Sequence, residues 1–200
     1  MGEQRRAGAS VGRAGRTLRR AGGSGLEVAG RRRLAGQSAL WGGDVGPNPT
    51  DRAKNGTKTS LLVEGQGGPL GVSTAPANWH DARCLQDVLL SIVVERPDQQ
   101  EEHLLLDKGY DNPTGRKTAQ ELGYVAHIRT IREETRPRRP GRRKSRRWVV
   151  ERTLAWLRKC RGILVRYNKN AGNYLGLLQL ACALIWYRRY WKLTRKRVLR

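Results

Sequence analysis

The sequence predicts an α/β domain, and three observations carry that prediction. Apolar runs of strand length stand at 103–107, "HLLLD", and at 124–129, "YVAHIR"; both are too short for helices and are bounded by turn residues. The stretch "ARCLQDVLLSIVVE" at 82–95 has helical spacing, with Leu85, Val88, Leu89 and Ile92 recurring along one face. The third is "TSLLVEGQGGPLGVSTA" at 59–75, two short strands around a glycine-rich turn. The order hairpin, helix, strand, helix, strand implies a layered sheet with parallel pairing late in the domain.

Taken in order, residues 1–40 are rich in Gly, Ala, Ser and Arg and never settle into a helix or strand period, so a disordered leader is expected. It reads either as a nucleic-acid-binding arm or as a non-native leader from a shifted frame or misplaced start. From residue 41 the texture changes, and a folded domain is expected over 41–192. "GPNPTDRAKNGTK" at 46–58 is loop chemistry, in which Pro fixes φ and Asn, Asp and Gly favour turns. The hairpin follows, then "PANWHD", whose Asp81 is placed to cap the 82–95 helix. Asn78 and His80 read, with Asp81, as capping that helix and pinning the hairpin, with assistance to chemistry as the alternative for His80, and Trp79 reads as core. After the strand at 103–107 comes a short helix at 113–123, ended by Gly123, and the strand at 124–129.

"TIREETRPRRPGRRKSRR" at 130–147 is a basic, proline-broken loop suited to lying on phosphates. Two helices close the domain. The first, 147–162, aligns Val149, Thr153, Trp156 and Cys160 with Val150, Leu154 and Leu157 beside them, and the second spans the apolar 174–187. Trp186, Tyr187, Tyr190 and Trp191 read as core and edge packing, and 193–200 as a basic tail.

Composition narrows the partner. The chain has 200 residues, 38% of them hydrophobic, enough for one ordinary core. Its 40 Lys and Arg against 17 Asp and Glu give a net charge of +23, which calls for a polyanion, nucleic acid first. A basic RNA-binding protein of ribosomal type would satisfy that charge without needing paired acids. The three cysteines are far apart and lack metal-ligand spacing, which fits a reducing cytoplasm. The longest greasy stretch, 174–187, is shorter than the roughly 20 residues a bilayer needs.

Two acids stand out. Asp107 ends an apolar strand in "LLLDKGYDNP", where it is either a turn former or a metal ligand. Glu151 lies four residues after Arg147 and seven before Arg158, so the three share about one stripe of a helix. Flanked by those bases, the glutamate reads either as a partner in a surface ion pair or as a metal ligand. Arg52, Lys54 and Lys58 read either as a solvated run or as phosphate contacts.

The strings "LLLDKGYD", "ANWHD", "GPNPTDRAKNGTKTSLLVEGQGGPLG" and "RWVVERTLAWLRKCRGILVRY" together resemble the transposases of bacterial insertion sequences, specifically the fifth insertion-sequence family of the DDE superfamily. The resemblance covers about 41–190. It implies a ribonuclease H-like fold in which three acids, Asp, Asp and Glu, bind two divalent ions, Mg²⁺ or Mn²⁺. Asp107 would be the second acid and Glu151 the third. Arg147, Glu151 and Arg158 match the related Tyr-x2-Arg-x3-Glu-x6-Lys/Arg helix signature in spacing, with Lys144 in place of the tyrosine. The implied partner is double-stranded DNA, the terminal repeats of the element and its target, handled at the nucleoid with a homodimer as one form of the assembly. No aspartate stands where the pattern places the first acid: the comparable place reads Ala35 before Gly36, and Asp44 and Asp51 are the acids nearby. A copy truncated or frame-disrupted at its N-terminus is therefore expected, a DNA-binding remnant being the alternative to an active enzyme.

Overall fold

The computed structural model describes residues 25–30, 36–37, 42–49, 52, 54–94, 101–128 and 147–198, with the backbone alone for 25–30, 36–37, 147 and 196–198. The chain order is β1 (Gly25–Gly30), β2 (Gly36–Gln37), β3 (Gly46–Pro47), β4 (Asn55–Glu64), β5 (Pro69–Pro76), α1 (Asp81–Leu90), β6 (Glu102–Leu106), a 3-10 turn (Lys108–Tyr110), α2 (Pro113–Glu121), β7 (Tyr124–Ile128), α3 (Arg147–Arg158), α4 (Arg161–Leu164) and α5 (Ala171–Val198). The basic loop expected at 130–147 lies, apart from Arg147, outside the described residues.

The hairpin is β4 and β5, antiparallel, and it supplies the most buried strand of the sheet. Beyond it the order is β5, β4, β1, β6, β7: β1 runs antiparallel to β4 and parallel to β6, and β7 is parallel to β6. β2 and β3 pair only with the first residues of β4. Alternation along β4 divides the core in two, because successive side chains leave opposite faces. Leu61 and Val63 join Val149, Val150, Leu154, Leu157, Tyr174 and Leu178 beneath α3 and α5. Leu62 joins Leu85, Val88, Leu104, Leu106, Tyr110 and Ala119 beneath α1 and α2.

Four expectations are corrected. The leader expected over 1–40 contributes β1 and β2 to the sheet. A strand such as "GLEVAG" has little propensity of its own, but pairing on both edges, with β4 and β6, stabilises it. The cap of α1 is His80, whose Nδ1 accepts from the Ala82 N–H at 3.3 Å, while Asp81 opens the helix itself. Trp79 is not core: it is 40% exposed. The closing helix runs on to Val198 rather than stopping near 187; no Gly or Pro follows, and Lys and Arg are good helix formers, so the basic tail prolongs it. Tyr187, Tyr190 and Trp191 are accordingly exposed, and only Trp186 is half-buried.

The last two glycines of "GQGG" are required by close packing. Gly67 has φ +88°, and a Cβ there would meet Arg152 and Thr153 at 2.9 Å. A Cβ on Gly68 would fall 2.4 Å from the Trp186 ring, so the turn is held between α3 and α5.

The three thiols differ in kind. Cys84 is buried and its pKa is raised, chiefly by desolvation. Cys182, packed against the core beneath α5, is pushed up by burial to about 12. Cys160 is exposed. The thiolate is the nucleophile, so alkylation of the native protein at pH 8 is expected to modify Cys160 first, with Cys84 and Cys182 reacting only on denaturation, as peptide mass spectrometry would read out. Prompt labelling of Cys182 in the native state would contradict this.

Candidate active site

Asp107 follows the last residue of β6 with extended backbone, φ −73° and ψ 162°. Its Oδ1 accepts from the Lys108 N–H at 2.8 Å, and its carbonyl accepts from the Tyr110 N–H at 3.0 Å. It is thus both a strand-end acid and the cap of the turn that follows. Tyr110, fully buried, anchors the turn in the core. Asn112 then starts α2, its Oδ1 accepting from the Gly115 N–H at 2.7 Å.

The turn rests on "NWHD". A Cβ added to Gly109 would lie 2.7 Å from Asp81 Oδ2, so only glycine lets the two segments approach this closely. The other Asp81 oxygen accepts from Lys58 Nζ at 2.8 Å, with both side chains almost wholly enclosed, and Lys58 also donates to the Trp79 carbonyl. Lys58, read as a candidate phosphate contact, therefore has its ammonium committed inside the fold, bracing "NWHD" against β4. Arg52 and Lys54 are exposed.

On α3 the buried residues are Val149, Val150, Thr153, Leu154 and Leu157. At about 100° per residue, Glu151 and Arg152 fall on opposite sides of the exposed ridge, with Arg158 and the Arg147 position on the Glu151 side. Glu151 is partly exposed. The Arg152 flank, with Trp148 and Trp156, meets the hairpin turn, where Thr153 Oγ1 donates to the Gly67 carbonyl at 2.7 Å and Arg152 donates to the Gln66 carbonyl. Trp156 and Cys160, aligned with Val149 in the sequence reading, are exposed instead.

Asp44, a possible substitute for the first acid, is engaged elsewhere. It sits at φ 57°, its Oδ2 accepts from Thr74 Oγ1 at 2.7 Å, and its carbonyl accepts from Thr57 Oγ1 at 2.7 Å. Asp51 lies outside the described residues. Among the described residues no group of three His, Cys, Asp or Glu converges to hold a metal ion.

Two features escaped the sequence reading. A cleft of about 480 Å³ lies where Glu64 and Gln66 meet Trp148, Arg152, Trp156 and Arg189. Arg152 is stacked over both Trp148 and Trp156, 4.7 and 5.0 Å from the ring centroids, and Glu64, 2% exposed, accepts from Arg189 Nη1 at 2.7 Å. The fully buried Arg166 ties the loop before α5 to the start of the sheet. Nothing local marks that arginine among 40 basic residues; the four-residue spacing of Trp148, Arg152 and Trp156 was the available signal for the cleft.

A mixed α/β domain with an acid at a strand end and a second on a helix is compatible with a transposase catalytic domain, and comparison with known proteins shows that class. The chain belongs to the DDE transposase family: the family described as "Transposase DDE domain" matches residues 21–186, beginning upstream of β1. The chain is similar to a Burkholderia cepacia protein assigned as transposase to the insertion sequence element IS402, 34% identical over 177 residues, which are 84% of this chain and 82% of that protein. No solved structure matches it. No helix among the described residues is long and apolar enough to cross a membrane.

Proposed function

We propose that the protein acts on double-stranded DNA as a metal-dependent transposase, cutting and joining phosphodiesters at the ends of an insertion sequence, on a ribonuclease H-like fold. The sheet order β5, β4, β1, β6, β7 with β4 alone in the antiparallel sense among the inner strands supports the fold reading. The observation that carries the function is Asp107 at the end of β6, beside central β1, in a chain of this family.

Asp107 and Glu151 offer hard carboxylate oxygens, the donor type that Mg²⁺ or Mn²⁺ takes, so the residues fit the metal in kind. Divalent ions bound there would supply an activated nucleophile and stabilise the leaving oxygen. The protein's own part is positioning: Asp107 is held by the turn it caps, and Glu151 by a helix with one face sunk in the core. In this reading Arg158 and Arg147 would neutralise backbone phosphates near the acids, and Arg52 and Lys54, both exposed, would extend that surface. A homodimer, each protomer holding one end of the element, would suit the joining step.

The test uses the full chain and a duplex carrying the element's terminal repeats. Nicking or strand transfer is expected only with Mg²⁺ or Mn²⁺, and Asp107→Asn is expected to lower it by about 10²–10³-fold, the scale of losing one preorganised electrostatic group. DNA affinity, measured across a salt series, should stay within about twofold, because phosphate contacts dominate it. Cleavage that survives Asp107→Asn, or that needs no divalent ion, would refute the proposal.

A further inference from the structure

The register of the central strands points to Ala29 as the position that withholds the third carboxylate of the metal site; this rests on the metal-dependent reading above. Val28 is paired with Leu106 across the parallel β1 and β6, so the next pair along is Ala29 with Asp107. On its other edge Ala29 is paired with Leu61 of β4. Leu61 belongs to the core beneath α3, whereas its neighbour Leu62 belongs to the opposite core. Paired residues on adjacent strands share a face, which puts position 29 on the α3 side. Leu104 and Leu106 pack on the α1 and α2 side, so alternation puts Asp107, following in extended conformation, on the α3 side as well. The helix on that side is the one that carries Glu151.

Position 29 is therefore the place in the sheet from which a carboxylate would lie beside Asp107 and beneath the Glu151 helix. An Asp there would be about 4.8 Å from Asp107 at the backbone, the ordinary spacing of adjacent strands. The chain has alanine, with Gly30 after it. Ala35, which the sequence pattern suggested as the altered site, precedes β2, and β2 pairs with Thr57 and Gly56 of β4, away from β6. Asp44 is held by Thr74, and Asp81 by Lys58. The disagreement between the donor set and a three-acid site thus comes down to one side chain at a defined register position.

Mn²⁺ binding to the full-length protein, read by electron paramagnetic resonance of the free ion, provides the test. Ala29→Asp is expected to tighten Mn²⁺ binding at least about tenfold by adding one ligand charge, and Asp107→Asn in the same chain is expected to abolish the gain. Ala35→Asp should leave binding unchanged. Equal affinity in Ala29→Asp and the unaltered protein, or an equal gain from Ala35→Asp, overturns the inference. A second measurement needs no added charge: the pair Ala29→Cys with Asp107→Cys should close a disulfide under mild oxidation, since adjacent-strand spacing lies within disulfide range. Ala35→Cys with Asp107→Cys should not, and mass spectrometry of the peptides decides between them. Failure of the 29–107 disulfide to form overturns the register even if Ala29→Asp does not fold. If Ala29→Asp gains metal affinity yet no metal-dependent nicking appears, the inference stands and the proposed activity falls.

Discussion

Arg166→Met is expected to cost at least about 4 kcal/mol of folding stability, a large part of the ~5–15 kcal/mol that holds a typical domain together. Arg166 is 0% exposed and its guanidinium donates in three directions. Nε reaches the Asn168 carbonyl at 2.9 Å, Nη2 the Gly43 carbonyl at 2.7 Å and the Lys169 carbonyl at 3.2 Å, and Nη1 the Thr57 hydroxyl and, at 3.4 Å, the Asp44 carbonyl. Tyr174 stacks beneath it, 5.3 Å from ring centroid to guanidinium carbon. Methionine fills similar volume but donates none of these bonds, and each acceptor that water cannot then reach costs about 1–3 kcal/mol. Lysine keeps the charge, yet a compact ammonium with three donors cannot reproduce a planar fork, so Arg166→Lys should lie between. Urea unfolding followed by tryptophan fluorescence measures both variants; a midpoint for Arg166→Met close to that of the unaltered protein would show that the network contributes little.

Asp81→Ala is expected to cost roughly 3–5 kcal/mol, because it leaves the Lys58 ammonium buried without its counter-charge. The pair is 2.8 Å apart with side chains 7% and 11% exposed, so solvent screens it poorly. Lys58→Met should be comparably harmful, but the double variant Lys58→Met with Asp81→Leu should regain most of the loss, since an apolar pair removes both desolvated charges together. A thermodynamic cycle over the four proteins should therefore show coupling of at least about 2 kcal/mol. Additive effects would mean that the two groups are not energetically linked. Because Asp81 lies against Gly109 in the turn capped by Asp107, the double variant is also the one in which a stable fold is expected to hold the acid less firmly.

How much was legible in advance differed by element. The helix expected at 82–95 was legible because Leu85, Val88 and Leu89 repeat the helical period, and the observed buried face includes all three, but it ends at Leu90, before Ile92. The hairpin was marked by its glycine-rich turn, and the strand ending at Asp107 by its apolar run. β1 was not legible, since two of its six residues are glycine and it alternates weakly; a central strand takes its stability from its neighbours. Lys58 read as a surface base because three cations near a proline-rich loop look solvated, and only the arrival of Asp81 from 23 positions away made burial tolerable.

By itself the sequence determined an α/β order of elements, a basic chain suited to DNA, and two acids, one at a strand end and one in a helix. Local periodicity, turn chemistry and charge are properties of contiguous residues, so they survive without a structure. Tertiary structure decided which strand lies beside Asp107, which flank of α3 carries Glu151 away from the Trp and Arg cleft, and which charges are buried in pairs. These depend on strand register and on contacts between distant segments. A shift of one residue in β1 would move position 29 to the other face of the sheet, and no local signal opposes that shift as the paired strands on either side do.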